Sequence, residues 1–122
     1  MVAFMPTFNE VDIVRQQVRR LLAQGIEVHV MDNWSTDGTP EAIEDLRGNG
    51  VTLERFPDTG DDRTFDLGGQ LGRIEDLAAA VFADWCVLLD ADEVRQSPWH
   101  GLSLRDSLWR VQQAGANAVD FT

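Results

Sequence analysis

Short apolar runs alternate with amphipathic stretches along this chain of 122 residues, and each stretch predicts an element. Val2–Met5 reads as a short buried strand. Over Val11–Gln24, Ile13, Val14, Val18, Leu21 and Leu22 recur on one 3.6-residue face, with Arg15, Gln16, Arg19 and Arg20 off it. That spacing predicts a helix, with Asn9 placed as its N-cap and Gly25 as its stop. Glu27–Asp32 is a second strand. Thr39 then caps a short helix with Pro40 at its first position, ended by Gly48-Asn49-Gly50. Val51–Phe56 alternates Val51 and Leu53 with Thr52 and Glu54, the pattern of a half-exposed edge strand. Residues 57–68 contain Pro, Gly and Asp and read as a mobile loop, followed by a helix carrying Leu71, Ile74, Leu77, Ala78 and Val81. Trp85–Leu89, the most apolar strand, is expected at the centre of the sheet. Ser103 with Asp106 forms a capping box for a helix on Leu104, Leu108 and Val111. Gly115 stops that helix, and Ala118–Phe121 begins a last strand.

The order β-α-β-α-β-α-β, loop, α, β predicts an α/β fold: a doubly wound, mainly parallel sheet with helices on both faces and right-handed crossovers. By length, residues 1–122 form one domain able to bury roughly 65% of its unfolded surface. In such sheets ligands bind beyond the carboxyl ends of the strands, where the strand order switches. Three segments fall at strand exits here: Pro6–Glu10, Asp32–Asp37 and Asp90–Glu93. Residues two apart share a strand face, so Asp90 and Asp92 can point at one ion.

Charge narrows the list of partners. Apolar residues are 43% and charged residues 25% of the chain, ordinary for a globular protein, but 21 acids against 10 bases leave a net charge of −11. A chain this acidic repels phosphate backbones, which argues against nucleic-acid binding. Every base is Arg and there is no Lys. The lone Cys86 lies in an apolar run and reads as a small core residue, with no internal disulfide available to it. No apolar stretch approaches the ~20 residues of a membrane span. The opening Met1–Pro6 is too short and lacks the basic flank of a signal peptide, so a cytoplasmic location is expected.

The acidic strand exits carry the chemistry. Mg²⁺ and Mn²⁺ prefer oxygen donors and are often held by one or two carboxylates plus substrate phosphates, a role that Asp90 and Asp92 suit. Asp32, directly after a strand, can accept from a base N–H or from ribose hydroxyls. His29, His100, Trp34, Trp85 and Trp109 read as structural, and Trp99 is left open. Arg73 and Arg95 could approach phosphates but read first as surface or structural arginines.

Three motifs in order carry a resemblance to a known family. Pro6, Asn9 and Glu10 fit a Pro-x-x-Asn-Glu opening. Asp32, Asn33, Ser35, Asp37 and Thr39 fit an Asp-[Asp/Asn]-x-Ser-x-Asp-x-Thr loop, and Asp90 and Asp92 an Asp-x-Asp motif. Together they resemble the nucleotide-binding half of family 2 glycosyltransferases of the GT-A fold. The resemblance implies a nucleotide-diphosphate sugar donor and a Mn²⁺ or Mg²⁺ cofactor. It implies nucleotide contacts from Pro6, Thr7, Phe8, Asn9, Glu10, Asp32, Asn33, Ser35, Asp37 and Asp90, with Thr7, Phe8 and Glu10 lining the base pocket. Asp90 and Asp92 would hold the metal. The family inverts at the sugar and runs to roughly twice this length or more. The catalytic base and the acceptor site are therefore expected beyond Thr122, and the chain is expected to be a truncated donor domain that binds but transfers poorly. The acceptor and the oligomeric state are not encoded in these motifs.

Other readings remain beside it. A phospho-receiver domain also gathers carboxylates around Mg²⁺, but it needs a lysine that this chain lacks. A nucleotidyltransferase would share the sheet and the metal, yet it usually carries a Gly-rich basic loop where Thr7-Phe8-Asn9-Glu10 stand. A non-catalytic nucleotide-binding or scaffold domain stays open.

Overall fold

A computed structural model describes residues 1–57 and 67–120. The elements follow in the order β1 (Val2–Thr7), α1 (Val14–Ala23), β2 (Glu27–Asp32), a 3₁₀ helix (Glu41–Leu46), β3 (Val51–Arg55), α2 (Leu67–Ala80), β4 (Cys86–Leu88) and α3 (Leu104–Gln113). The four strands form one sheet in the order β3-β2-β1-β4, with every pairing parallel. The α/β, doubly wound class expected from the alternation is the observed one, and β3 is the edge strand its half-polar pattern predicted. No helix among the described residues is long and apolar enough to cross a membrane.

Register explains why β1 is apolar at successive positions. Its residues alternate between two core layers, so both faces are covered. Ala3 and Met5 join Val28 and Val30 of β2 in the larger layer, beneath Val14, Val18 and Leu21 of α1, Ile43 of the 3₁₀ helix, and Leu104 and Leu108 of α3. Val2 and Phe4 join Met31 in the smaller layer, under Ile74 of α2 with Leu77 and Ala78 at its margin. His29 shares that second face. Its ring centroid lies 5.7 Å from that of Phe4, and its Nε2 lies 3.2 Å from Glu54 Oε1, in keeping with a structural histidine.

Helix ends show where local signals held and where contacts overruled them. Gly25 stops α1 at φ +75°, and a Cβ there would come within 2.7 Å of Arg105 Nη1. Ser103 caps α3, its hydroxyl accepting from the Asp106 amide at 3.0 Å. Gly115 follows α3 with φ +96°. By contrast, α1 starts at Val14 and has no side-chain cap. Its first amides bond instead to the Glu10 carbonyl (Ile13 N at 3.1 Å, Val14 N at 2.9 Å). Asn9 adopts φ +52° and spends its side chain on the Thr36 amide. Thr39 does not cap the 3₁₀ helix either, because its buried hydroxyl is committed to Glu10 and Asp37.

Four expectations near the carboxyl half need correction. Among the described residues β4 lies at the edge of the four-stranded sheet, paired only with β1, and not at its centre. Cys86 is exposed rather than buried, and Leu88 is 47% exposed. The register gives the reason: Cys86 pairs with Val2 and Leu88 with Phe4, so both face the α2 side. The apolar layer beneath α2 is built on β1 and β2, which leaves this part of β4 uncovered among the described residues. Val87 and Leu89, on the other face, are buried as an apolar run predicts. Residues 118–120 form no strand, while Phe121 and Thr122 lie outside the described residues, as does most of the loop expected over 57–68. Leu67 and Gly68, assigned to that loop, begin α2.

Candidate functional site

From β1 the chain steps outward to β2 and β3, then returns to the other side of β1 with β4. The strand order therefore switches between β1 and β4, where a parallel sheet opens a crevice at its carboxyl edge. A cavity of about 360 Å³ lies there. Pro6, Thr7, Phe8 and Glu10 from the β1 exit and Asn33 from the β2 exit line it. Leu88, Asp90 and Asp92 come from β4 and its exit, and Gln70 and Leu71 from α2.

The loop after β2 is built inward. Asp32 is fully buried; its Oδ1 accepts from the Thr7 hydroxyl at 2.9 Å and the Ser35 hydroxyl at 2.6 Å, and its Oδ2 from the Ser35 amide at 2.8 Å. Ser35 Oγ in turn accepts from the Asn9 amide at 2.8 Å, and Asn9 Oδ1 from the Thr36 amide at 2.8 Å. The Glu10 amide donates to Thr39 Oγ1 at 2.9 Å. Asp37 receives the Val11 amide at 3.1 Å and the Thr39 amide at 3.0 Å. Although desolvation pushes the Asp37 carboxyl up, these donors and the Thr39 hydroxyl outweigh it and leave the group below its ordinary range. The β1 and β2 exits are thus laced into one unit. Trp34 steadies its outer side at φ +53°: its ring lies 4.8 Å from the Arg55 guanidinium carbon, and its Nε1 donates to the Pro57 carbonyl at 2.6 Å.

Across the crevice the acids are arranged in the opposite way. Leu89 and Ala91 are buried while Asp90 and Asp92 line the cavity, the alternation that a strand spacing predicts. Neither carboxylate accepts a hydrogen bond from the described residues. Desolvation and the neighbouring Glu93 and Asp92 charges raise the Asp90 carboxyl above its ordinary value, against a smaller opposing pull from Arg95. Glu10 is raised by burial and by Asp92, with further contributions from Asp90 and Asp12. Negative charge only partly offset by Arg95 therefore collects along the cavity, and a cation would relieve it. No three His, Cys, Asp or Glu side chains among the described residues group into a complete metal cage. Two open carboxylates instead fit a hard cation that completes its oxygen shell with water and ligand phosphates.

Of the residues singled out from sequence, the cavity unites Pro6, Thr7, Phe8, Glu10, Asn33, Asp90 and Asp92. Asn9, Asp32, Ser35 and Asp37 do not line it and bond instead within the loop unit behind it. Arg73 bonds to both oxygens of Glu54, at 3.3 and 3.0 Å, and Arg95 to Glu93 at 2.7 Å. Trp99 lies 4.7 Å from the Arg110 guanidinium carbon, and the Trp85 indole donates to Gln112 at 2.7 Å.

Sequence reasoning missed Gln70. The signal was there: Gln70, Ile74 and Leu77 fall on one stripe of α2, which puts a carboxamide at the head of the face that the helix turns to the sheet. Asn33 carries a related mark, since its Oδ1 is buried with no hydrogen-bond partner.

Comparison with known proteins bears on this geometry. Residues 2–99 match the profile of the family described as glycosyl transferase family 2. No curated protein matches the chain significantly. Among solved structures, a mannosyltransferase from Pyrobaculum calidifontis in complex with GDP-Man and Mn²⁺ superposes with a TM-score of 0.56 at 21% identity. The match covers 80% of this chain and 28% of that one. At that identity the likeness speaks to the fold, which is the GT-A-like α/β sheet expected from the three motifs.

Proposed function

Because the chain belongs to glycosyl transferase family 2, we propose that its crevice binds a nucleotide-diphosphate sugar as the donor side of an inverting glycosyl transfer. The observation that carries this reading is the meeting of Asp90 and Asp92, which accept no hydrogen bond from the described residues, with Phe8 and Asn33 at the switch in strand order. The mannosyltransferase with the similar fold holds GDP-Man and Mn²⁺, which supports a donor of this class and a divalent cation here.

Each residue has a part in that reading. Phe8, 58% exposed at the cavity, offers a ring face for the base. Asn33 Oδ1 accepts a base N–H. Asp90 and Asp92 would hold Mn²⁺ or Mg²⁺, whose charge offsets what develops on the departing diphosphate. Asp90 would also lie near the ribose. Asn9, Asp32, Ser35 and Asp37 act at one remove, fixing the Thr7–Glu10 wall through the loop unit. Asp32 does so through Thr7, whose hydroxyl it holds.

Calorimetric titration of UDP, GDP and dTDP, with and without Mn²⁺, tests the reading on wild type and Asp92→Asn. The expected result is Mn²⁺-dependent binding of one nucleotide, weakened at least about tenfold by the substitution. Absence of binding to a chain shown by thermal melting to be folded would overturn it and leave a scaffold of glycosyltransferase ancestry.

A further inference from the structure

Gln70 is 4% exposed, lies in the first turn of α2 and lines the crevice. Its side chain has no hydrogen-bond partner among the described residues. Unlike Asn33 Oδ1, its amide atoms are not sealed from solvent, so the carboxamide opens onto the cavity, where a ligand can pair with it. Asn33 Oδ1, from the β2 exit, is buried and unpartnered on the same cavity.

The surroundings limit what that partner can be. A carboxamide is neutral and both donates and accepts, so it adds no charge to the phosphate end marked by Asp90 and Asp92. The walls nearest in kind are apolar: Pro6, Phe8 and Leu71. Flat apolar surface edged by two carboxamides suits a planar heteroaromatic ring whose rim alternates donors and acceptors. Sugar hydroxyls and diphosphate oxygens have no such rim.

We propose that Gln70 hydrogen-bonds the nucleobase of the donor and, with Asn33, determines which base the crevice accepts. This rests on the donor-binding reading and adds to it a specificity residue on α2, outside the three motifs. A site built to pair with particular donors and acceptors rejects a base that leaves them unpaired.

The test is titration of UDP, GDP, ADP and CDP, each with Mn²⁺, and of inorganic pyrophosphate with Mn²⁺. The proteins are wild type, Gln70→Ala and the near-isosteric Gln70→Glu, with thermal melting to establish that each is folded. Gln70→Ala is expected to weaken the best-bound nucleotide about tenfold and to shrink its advantage over the other bases, leaving pyrophosphate unchanged. Gln70→Glu keeps an acceptor and loses the donor, so it is expected to reorder the bases and serves if the alanine variant does not fold. An equal loss for all four nucleotides would place Gln70 on the ribose, and a loss for pyrophosphate would place it on the diphosphate; either overturns the proposal. Wild-type binding that neither variant changes also overturns it while leaving the donor reading intact. If wild type binds no nucleotide, both fall together.

Discussion

Two acidic loops leave the carboxyl edge of the sheet, and they treat their carboxylates in opposite ways. After β2, Asp32 and Asp37 are filled by donors from Thr7, Val11, Ser35 and Thr39. After β4, Asp90 and Asp92 receive no donor from the described residues, and Asp90 is raised by desolvation and by its acidic neighbours. The first loop uses negative charge to organise backbone; the second leaves it available. An acid at a strand exit is therefore no sign of a ligand by itself. Whether the protein already supplies its hydrogen bonds separates scaffold from site.

Substitutions can break this contrast, beginning with the largest effect. Asp32→Ala leaves two hydroxyls and an amide without their shared acceptor in a fully buried position. It should cost about 3 kcal/mol of stability in urea unfolding; a loss below about 1 kcal/mol would mean that Thr7 and Ser35 find other partners. Asp90→Asn is the reverse case. Stability at neutral pH should stay within about 0.5 kcal/mol of wild type, while Mn²⁺-dependent nucleotide binding falls at least about tenfold. An unfolding curve shifted as far as that of Asp32→Ala would erase the distinction between the loops.

Glu54 extends the comparison to a carboxylate outside both loops. Burial pushes it up, but the Arg73 hydrogen bonds and the His29 imidazole 3.2 Å away prevail and hold it below its ordinary value. A depressed carboxyl stabilises the fold above its unfolded-state pKa, and the contribution is lost as pH falls through the lower, folded-state value. Glu54→Gln should thus cost about 0.5 kcal/mol at neutral pH, kept small by solvent screening. The gap from wild type should close in strong acid. A gap that persists there would mean that the pair acts through packing and not through charge.

Much of this architecture was legible locally. Apolar alternation located all four strands to within a residue or two, since a strand buried on one or both faces must display that burial in its own residues. Gly25, Gly115 and Ser103 marked helix ends because positive φ and capping are short-range chemistry. The misread caps and the misplaced strand involve partners distant in the chain. Asn9 and Thr39 looked like helix caps, yet each was claimed by the facing loop, through contacts 27 residues apart for Asn9 with Thr36 and 29 apart for Thr39 with Glu10. Trp85–Leu89 looked central because an apolar run does not say whether a helix covers each face. The cover over Cys86 and Leu88 depended on where α2 came to rest.

What the sequence determined by itself is the α/β alternation and the delivery of acidic residues to strand exits, because both follow from periodicity and from where apolar runs stop. Only the tertiary structure decided which of those acids stay open. It satisfied Asp32 and Asp37 from a neighbouring segment, left Asp90 and Asp92 facing the crevice, and added Gln70 from a helix outside every motif. Hydrogen-bond satisfaction depends on contacts made across the fold, and no spacing along the chain records it.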